Sequence, residues 1–284
     1  MVHHTTIDWN DAWKRQQREH ERCGTRDRQS NIWETIDAAR MFARMWKNDT
    51  GGRIRKTIED LPLTPNSRVL DIGSGPGTIA FPISKLVAHV TAVEPSEGMC
   101  TVFSEMIREE GCNTIRLVRK RWEDVDIQED LEPPYDVVFA SYSLNVPDLR
   151  DAIEKMQEAS SKYIAIYWFT GESTWDAMSR DLWPQLHGLD FVPAPTCDLI
   201  YNLLYSMGIY PNIEVFPLEH NNSFDSLDDA VTHFSGRVFA DGDEQKACVR
   251  RYLRERVMHH NDQIIIPGHS VRVRIWWEKG DPGA

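Results

Sequence analysis

Val69-Leu70-Asp71-Ile72-Gly73-Ser74-Gly75-Pro76-Gly77-Thr78 decides how this chain is read. An apolar strand carries a carboxylate near its end, and glycines then fall at every second position before a helical pattern starts. Without a Cβ, Gly73, Gly75 and Gly77 let a ligand lie against bare backbone and permit the positive φ of a strand-to-helix turn. The first N–H groups of the following helix have no intrahelical acceptor and face any polar or anionic group that arrives. A flat, nucleotide-sized ligand is expected over this turn.

Spacing narrows the choice of nucleotide. A dinucleotide-binding loop has the form G-x-G-x-x-G, and its third glycine would fall on Thr78. The run is instead G-x-G-x-G, interrupted by Pro76, with Asp71 two residues ahead of its first glycine. Twenty-three residues after Asp71, Val90-Thr91-Ala92-Val93-Glu94-Pro95 reads as a second strand ending in an acid. A carboxylate there can accept both hydroxyls of a ribose and would repel a 2′-phosphate. Strand, Asp71, glycine run, helix, strand and Glu94 together resemble motif I and the ribose-binding acid of the class I S-adenosylmethionine-dependent methyltransferases.

The resemblance implies a Rossmann-like α/β fold: a seven-stranded, mainly parallel sheet with helices on both faces. It implies S-adenosyl-L-methionine as cofactor and S-adenosyl-L-homocysteine as product, with Asp71, Gly73, Ser74, Gly75, Gly77, Thr78, Glu94, Pro95 and Met99 around the cofactor. After the third strand, Lys120-Arg121-Trp122-Glu123-Asp124-Val125 matches the family's adenine-recognition segment. There Trp122 either stacks on adenine or packs in the core, and Glu123 or Asp124 can accept from the amino group. Arg121 stands where the family often has an acid, so the assignment within 121–124 stays open. Ser141-Tyr142-Ser143-Leu144-Asn145 follows the fourth strand, where the resemblance implies the floor between donor and acceptor, with Ser141 on the cofactor side.

The alternating body begins at Arg68. Strands are expected near 68–72, 89–94, 114–119, 136–141, 163–168, 212–218 and 271–278, with helices near 78–87, 96–110, 148–160 and 198–208. Such alternation indicates a parallel sheet covered on both faces. Pro82 is expected just past the free first turn of its helix, bending it slightly. The last strand alternates cleanly from Val271 and reads as half-exposed and antiparallel. Residues 1–60 form a helical, Trp-rich cap, with Ser30-Asn31 as a helix start. Residues 61–284 form the core, with an insert at about 171–197 after the fifth strand. Two further helices are expected near 225–235 and 243–260.

A methyl group on a sulfonium is already activated, so the protein must aim an acceptor and exclude water; a base is needed only if the nucleophile arrives protonated. No catalytic triad is visible. Tyr142 and His187 are the candidate catalytic residues, with His220 also well placed. Trp33, Tyr142, Asn145 and Trp168 are the candidate acceptor pocket. Glu132-Pro133-Pro134-Tyr135 precedes the fourth strand and reads as a turn, not as the N-P-P-Y box of amino-methylating enzymes.

The 284 residues carry a net charge of −12, and residues 1–60 hold twelve Lys/Arg against ten Asp/Glu, so the acidic excess lies beyond them. That argues against nucleic acid, whose phosphates need clustered cations. Five scattered cysteines show no metal-ligand spacing, and no metal is expected. No apolar run approaches a membrane span, and a cytoplasmic protein is expected. The reading is methyl transfer to a small-molecule acceptor. The alternatives are methylation of a protein side chain, a nicotinamide-dependent oxidoreductase, and a non-catalytic cofactor-binding protein.

Overall fold

Val69, Leu70 and Ile72 are at most 1% exposed, so β1 (Arg68–Ile72) is covered on both faces, as a central parallel strand must be. The computed structural model describes residues 7–23, 35–47, 52–260 and 263–280. Around β1 lie β2 (His89–Val93), β3 (Ile115–Val118), β4 (Tyr135–Ser141), β5 (Ser160–Thr170) and β6 (Asn212–Glu219). The last strand of the sheet, β10 (His269–Glu278), pairs antiparallel with both β5 and β6. The order is β3-β2-β1-β4-β5-β10-β6. The chain leaves β1 in one direction and returns to β4 on its other side, and that reversal opens a crevice at the carboxyl ends of the strands.

Helices cover both faces. On one face, α1 (Trp9–Arg22), α6 (Leu149–Ala159) and α8 (Cys197–Ser206) pack over Leu70, Val138, Ile164 and Ile275. On the other, α3 (Arg53–Asp60), α4 (Ala80–Ser84) and α5 (Glu97–Glu109) cover Val69, Val137 and Tyr167. α2 (Ile36–Lys47) lies on α5, with Ala39 against Met99 and Val102. α1 is capped by Asp8, whose carboxylate accepts from the N–H of Asn10 and Asp11 at 3.0 and 3.1 Å. Its fully buried Trp13 donates Nε1–H to Val146 O at 2.9 Å, tying the helix to the loop after β4.

Beyond the sheet, α7 (Thr174–His187), α9 (Leu227–Arg237) and α10 (Asp243–Arg254) share a separate apolar cluster built on Met178, Leu182, Phe234 and Leu253. A small antiparallel sheet of β7 (Asn222–Phe224), β9 (Gln263–Ile266) and β8 (Met258–His260) completes this accessory unit. The insert expected at 171–197 is therefore one part of a larger unit supplied mainly by residues between β6 and β10.

Several expectations are corrected. The helix expected to run to 260 stops at Arg254, because Met258–His260 pairs as a strand with β9. The helix expected over 78–87 is only Ala80–Ser84, and Pro82 falls inside its first turn, where no intrahelical hydrogen bond is lost. The half-exposed edge strand is β6, while β10 is enclosed between β5 and β6. Ser30, Asn31 and Trp33 lie outside the described residues.

Candidate functional site

Gly73, Gly75 and Gly77 all hold positive φ, at 70°, 57° and 82°, between β1 and α4. Their surroundings differ. A Cβ on Gly73 would stand 2.2 Å from Ser143 Cβ, and one on Gly77 would stand 2.3 Å from the Phe103 ring. These two are small because protein packs against them. A Cβ on Gly75 would meet nothing within 4 Å, so its bare face opens onto space a ligand can use.

Glu94 ends β2 beside that space. Its Oε2 accepts from Gly75 N–H at 2.8 Å and its Oε1 from Ser96 N–H at 2.9 Å, while the residue is only 6% exposed. The acid is thus held rigidly against the loop. Ser96 in turn caps α5 by accepting from Met99 N–H. Met99 is buried under α2, and Pro95 is exposed.

Unpaired buried polar atoms converge here. Asp71 Oδ2, Ser74 Oγ and Tyr142 Oη have no hydrogen-bond partner among the described residues. Buried polar groups are almost always satisfied, so such a cluster marks where a polar ligand sits. Asp71 is 2% exposed, and burial, helped by the charge of Glu94 and opposed by Arg53, pushes its carboxyl up to about 8. Arg53, from α3, donates Nη1 to Ser141 Oγ at 3.4 Å and lies 5.8 Å from the Tyr142 ring. Sequence reasoning missed Arg53. Its signal, an arginine in an amphipathic helix preceding β1, does not separate a buried cation from a solvated one.

Tyr142 follows β4 with φ of 60°, a conformation uncommon outside glycine, and its N–H donates to Tyr167 O at 3.0 Å. Burial raises its phenol above the ordinary value, with Arg272 opposing. The same segment meets the glycine turn through Ser143, which packs against Gly73 and donates to Ile72 O. Thr78 is half-buried where the glycine turn leads into α4.

Other expected residues are placed elsewhere. Trp122 is 4% exposed within the core, its Nε1–H donated to Ala152 O at 3.1 Å, so its ring is taken up by packing. Glu123 is half-buried beside it in a single 3-10 turn, its carbonyl accepting from Lys155. Trp168 is buried against Trp13 and donates to Pro195 O at 2.9 Å, which anchors the segment before α8. Asn145 is exposed and accepts from Gln17 of α1. His187 ends α7, bonded to Val238 O at 2.9 Å and packed on Trp183 within the accessory unit, and it is not brought to the glycine loop. His220 lies instead 4.3 Å from the Trp175 ring, next to the carboxyl end of β6.

Residues 69–162 match the family model of a methyltransferase domain. That segment is thus similar to a methyltransferase domain. Solved structures share the fold of the chain. The YcgJ protein of Bacillus subtilis superposes with a TM-score of 0.52 at 16% identity, over 80% of this chain and 98% of that one. A protein of Bacillus halodurans C-125 described as a methyltransferase gives 0.52 at 14% identity, over 81% and 99%. In sequence, an uncharacterized Haemophilus influenzae protein is 26% identical over 78% of this chain and 80% of its own length. Protein arginine N-methyltransferase 7 of Oryza sativa subsp. japonica is 25% identical over 62% of this chain, a match spanning 26% of that protein. Among the described residues, no helix is long and apolar enough to cross a membrane.

Proposed function

We propose that the chain is an S-adenosylmethionine-dependent methyltransferase acting on a small molecule. One observation carries the cofactor reading: the open face of Gly75 is ringed by a fixed carboxylate, Glu94, and by the unpaired Asp71 Oδ2, Ser74 Oγ and Tyr142 Oη. These groups fit the compound. Glu94 suits a ribose diol, and Gly75 suits the close approach of a nucleoside. Asp71 suits an ammonium and Arg53 a carboxylate at the amino-acid end. Bound there, the cofactor supplies a methyl group already activated on sulfur. The chain's own part is to hold it, to orient an acceptor beside Tyr142 and to keep water out.

The domain match leaves the nicotinamide alternative without support. A protein-arginine acceptor is disfavoured by charge: the aromatic wall next to Tyr142 carries the guanidinium of Arg272, which would repel an incoming guanidinium. The test is incubation of the full chain with radiolabelled S-adenosylmethionine and separated metabolite and protein fractions. Label is expected in the small-molecule fraction. Label confined to protein would overturn the acceptor class. Failure of the folded chain to bind S-adenosylhomocysteine would overturn the cofactor.

A further inference from the structure

Beyond Tyr142, at the same edge of the sheet, aromatic rings gather two guanidiniums into one cluster. β10 runs antiparallel, so its early residues lie at the carboxyl ends of β5 and β6, with Arg272 opposite Phe169 and Phe216. Arg272 is 5% exposed, and its guanidinium carbon stands 4.3 Å from the Tyr142 ring centre, 4.8 Å from Phe169 and 5.8 Å from Trp175. Arg237, the last residue of α9, approaches the same Trp175 ring at 4.5 Å. Arg237 is exposed, and desolvation together with the charge of Arg272 lowers its pKa from the ordinary arginine value. The cluster is thus buried at Arg272 and reaches solvent at Arg237.

The charge in this cluster is compensated only in part. Among the described residues, neither Arg272 nor Arg237 forms an ion pair, and the Arg272 guanidinium donates to neutral Ser270 at 2.9 Å. Asp176 lies near enough to favour the charge on Arg237, but its carboxylate is engaged by Ser173 in the cap of α7. The two guanidiniums repel each other. Cation–π contacts are worth about 0.5–2 kcal/mol each and offset part of the desolvation, but they do nothing for the repulsion between two cations. A chain of net charge −12 has carboxylates to spare, and none of the described ones pairs here. His220 beside Trp175 adds two ring nitrogens without hydrogen-bond partners, and burial drives its pKa down to about 4, so it is neutral at physiological pH.

We propose that this cluster forms the acceptor subsite and that it takes a flat small molecule carrying a carboxylate or phosphate. Its anionic group lies between Arg272 and Arg237, and its body lies against Phe169 and Trp175. Both anions match the planar fork of arginine, and His220 offers one donor and one acceptor to a neutral polar group. Arg53, not this pair, is the cation beside Asp71 and Ser141 at the cofactor loop. The inference rests on the methyltransferase reading for its meaning, but its test does not.

The full chain, with and without saturating S-adenosylhomocysteine, is titrated calorimetrically with benzoate, phenyl phosphate and neutral benzamide. One anion is expected to bind at least about tenfold more tightly than benzamide, and which one it is separates carboxylate from phosphate recognition. Arg237→Gln, at a helix end in contact with solvent, is expected to fold, to weaken that anion by about tenfold and to leave S-adenosylhomocysteine affinity unchanged. Arg272→Lys, which keeps the charge and loses the fork, is expected to fall between. Equal binding of the three compounds, binding of none, or wild-type anion affinity in Arg237→Gln overturns the proposal. So does a parallel loss of S-adenosylhomocysteine affinity in Arg237→Gln, since that would make Arg237 a cofactor residue. Absence of S-adenosylhomocysteine binding in the wild type, with anion binding intact, counts against the cofactor instead.

Discussion

The carboxylate of Glu94 closes on the backbone N–H of Gly75 at 2.8 Å, locking the end of β2 to the turn that follows β1. The same residue that resembles the ribose acid is thus also a brace for the glycine loop. Glu94→Ala removes both roles. Charge-assisted hydrogen bonds are worth about 1.5–3 kcal/mol, so S-adenosylhomocysteine affinity should fall by at least about tenfold in calorimetric titration. Glu94→Gln retains an acceptor for Gly75 and is expected to fall less. Equal, unchanged affinities in both variants would remove Glu94 from the site.

The three glycines separate ligand space from protein space. The Cβ of Gly75→Leu meets no atom within 4 Å, so beyond the strain of a positive φ, about 1–2 kcal/mol, the fold should hold while cofactor binding is lost. Gly77→Ala drives a Cβ to 2.3 Å from the Phe103 ring and should lower the melting temperature more than Gly75→Leu does. The reverse ranking of melting temperatures would mean the loop is not shaped as described.

Most of the sheet was legible in the sequence because buried parallel strands write themselves as short apolar runs between turn signals, and all seven strands fell within a few residues of their expected places. The glycine turn and Glu94 were legible because their chemistry is local. The small sheet was not, since β7 and β8 have three residues each and β8 is exposed throughout. Arg272 and Arg237 were missed for a different reason: they sit on β10 and α9, and only tertiary packing places both on Trp175. A signal existed in Val271-Arg272-Val273-Arg274-Ile275, where alternation puts both arginines on one face. It was read as solvent exposure, whereas that face meets Tyr142 and the α3 segment around Asp60. Trp122 and Trp168 are held by core packing, a placement that the sequence alone does not separate from a ligand wall.

Trp13 links the N-terminal helix to the loop that carries Asn145 and Val146. It is fully buried and its indole N–H has its acceptor in Val146 O. Trp13→Ala should cost about 3–5 kcal/mol through the cavity it leaves. Trp13→Phe should cost less, keeping most of the contact and losing the hydrogen bond. Thermal denaturation checks this, and a melting temperature unchanged in Trp13→Ala would mean that α1 does not brace the loop.

Asp71 trades stability for binding. Its carboxyl titrates at about 8 in the folded chain against an ordinary value of 3.8. Between those values the folded state keeps a proton that the unfolded chain releases, so stability falls as pH rises through that window, and the full penalty is present above it. Asp71→Asn removes the titration. Its melting temperature should therefore gain on the wild type as pH is raised from 5 to 8. The same variant should bind S-adenosylhomocysteine more weakly, because the carboxylate facing the proposed ammonium is gone. In the wild type, binding near pH 7 should release a proton from Asp71, seen as a dependence of the measured heat on the ionisation enthalpy of the buffer and reduced in Asp71→Asn. A melting difference that does not vary with pH, together with equal heats in all buffers, would show that Asp71 is already ionised and paired before the cofactor arrives.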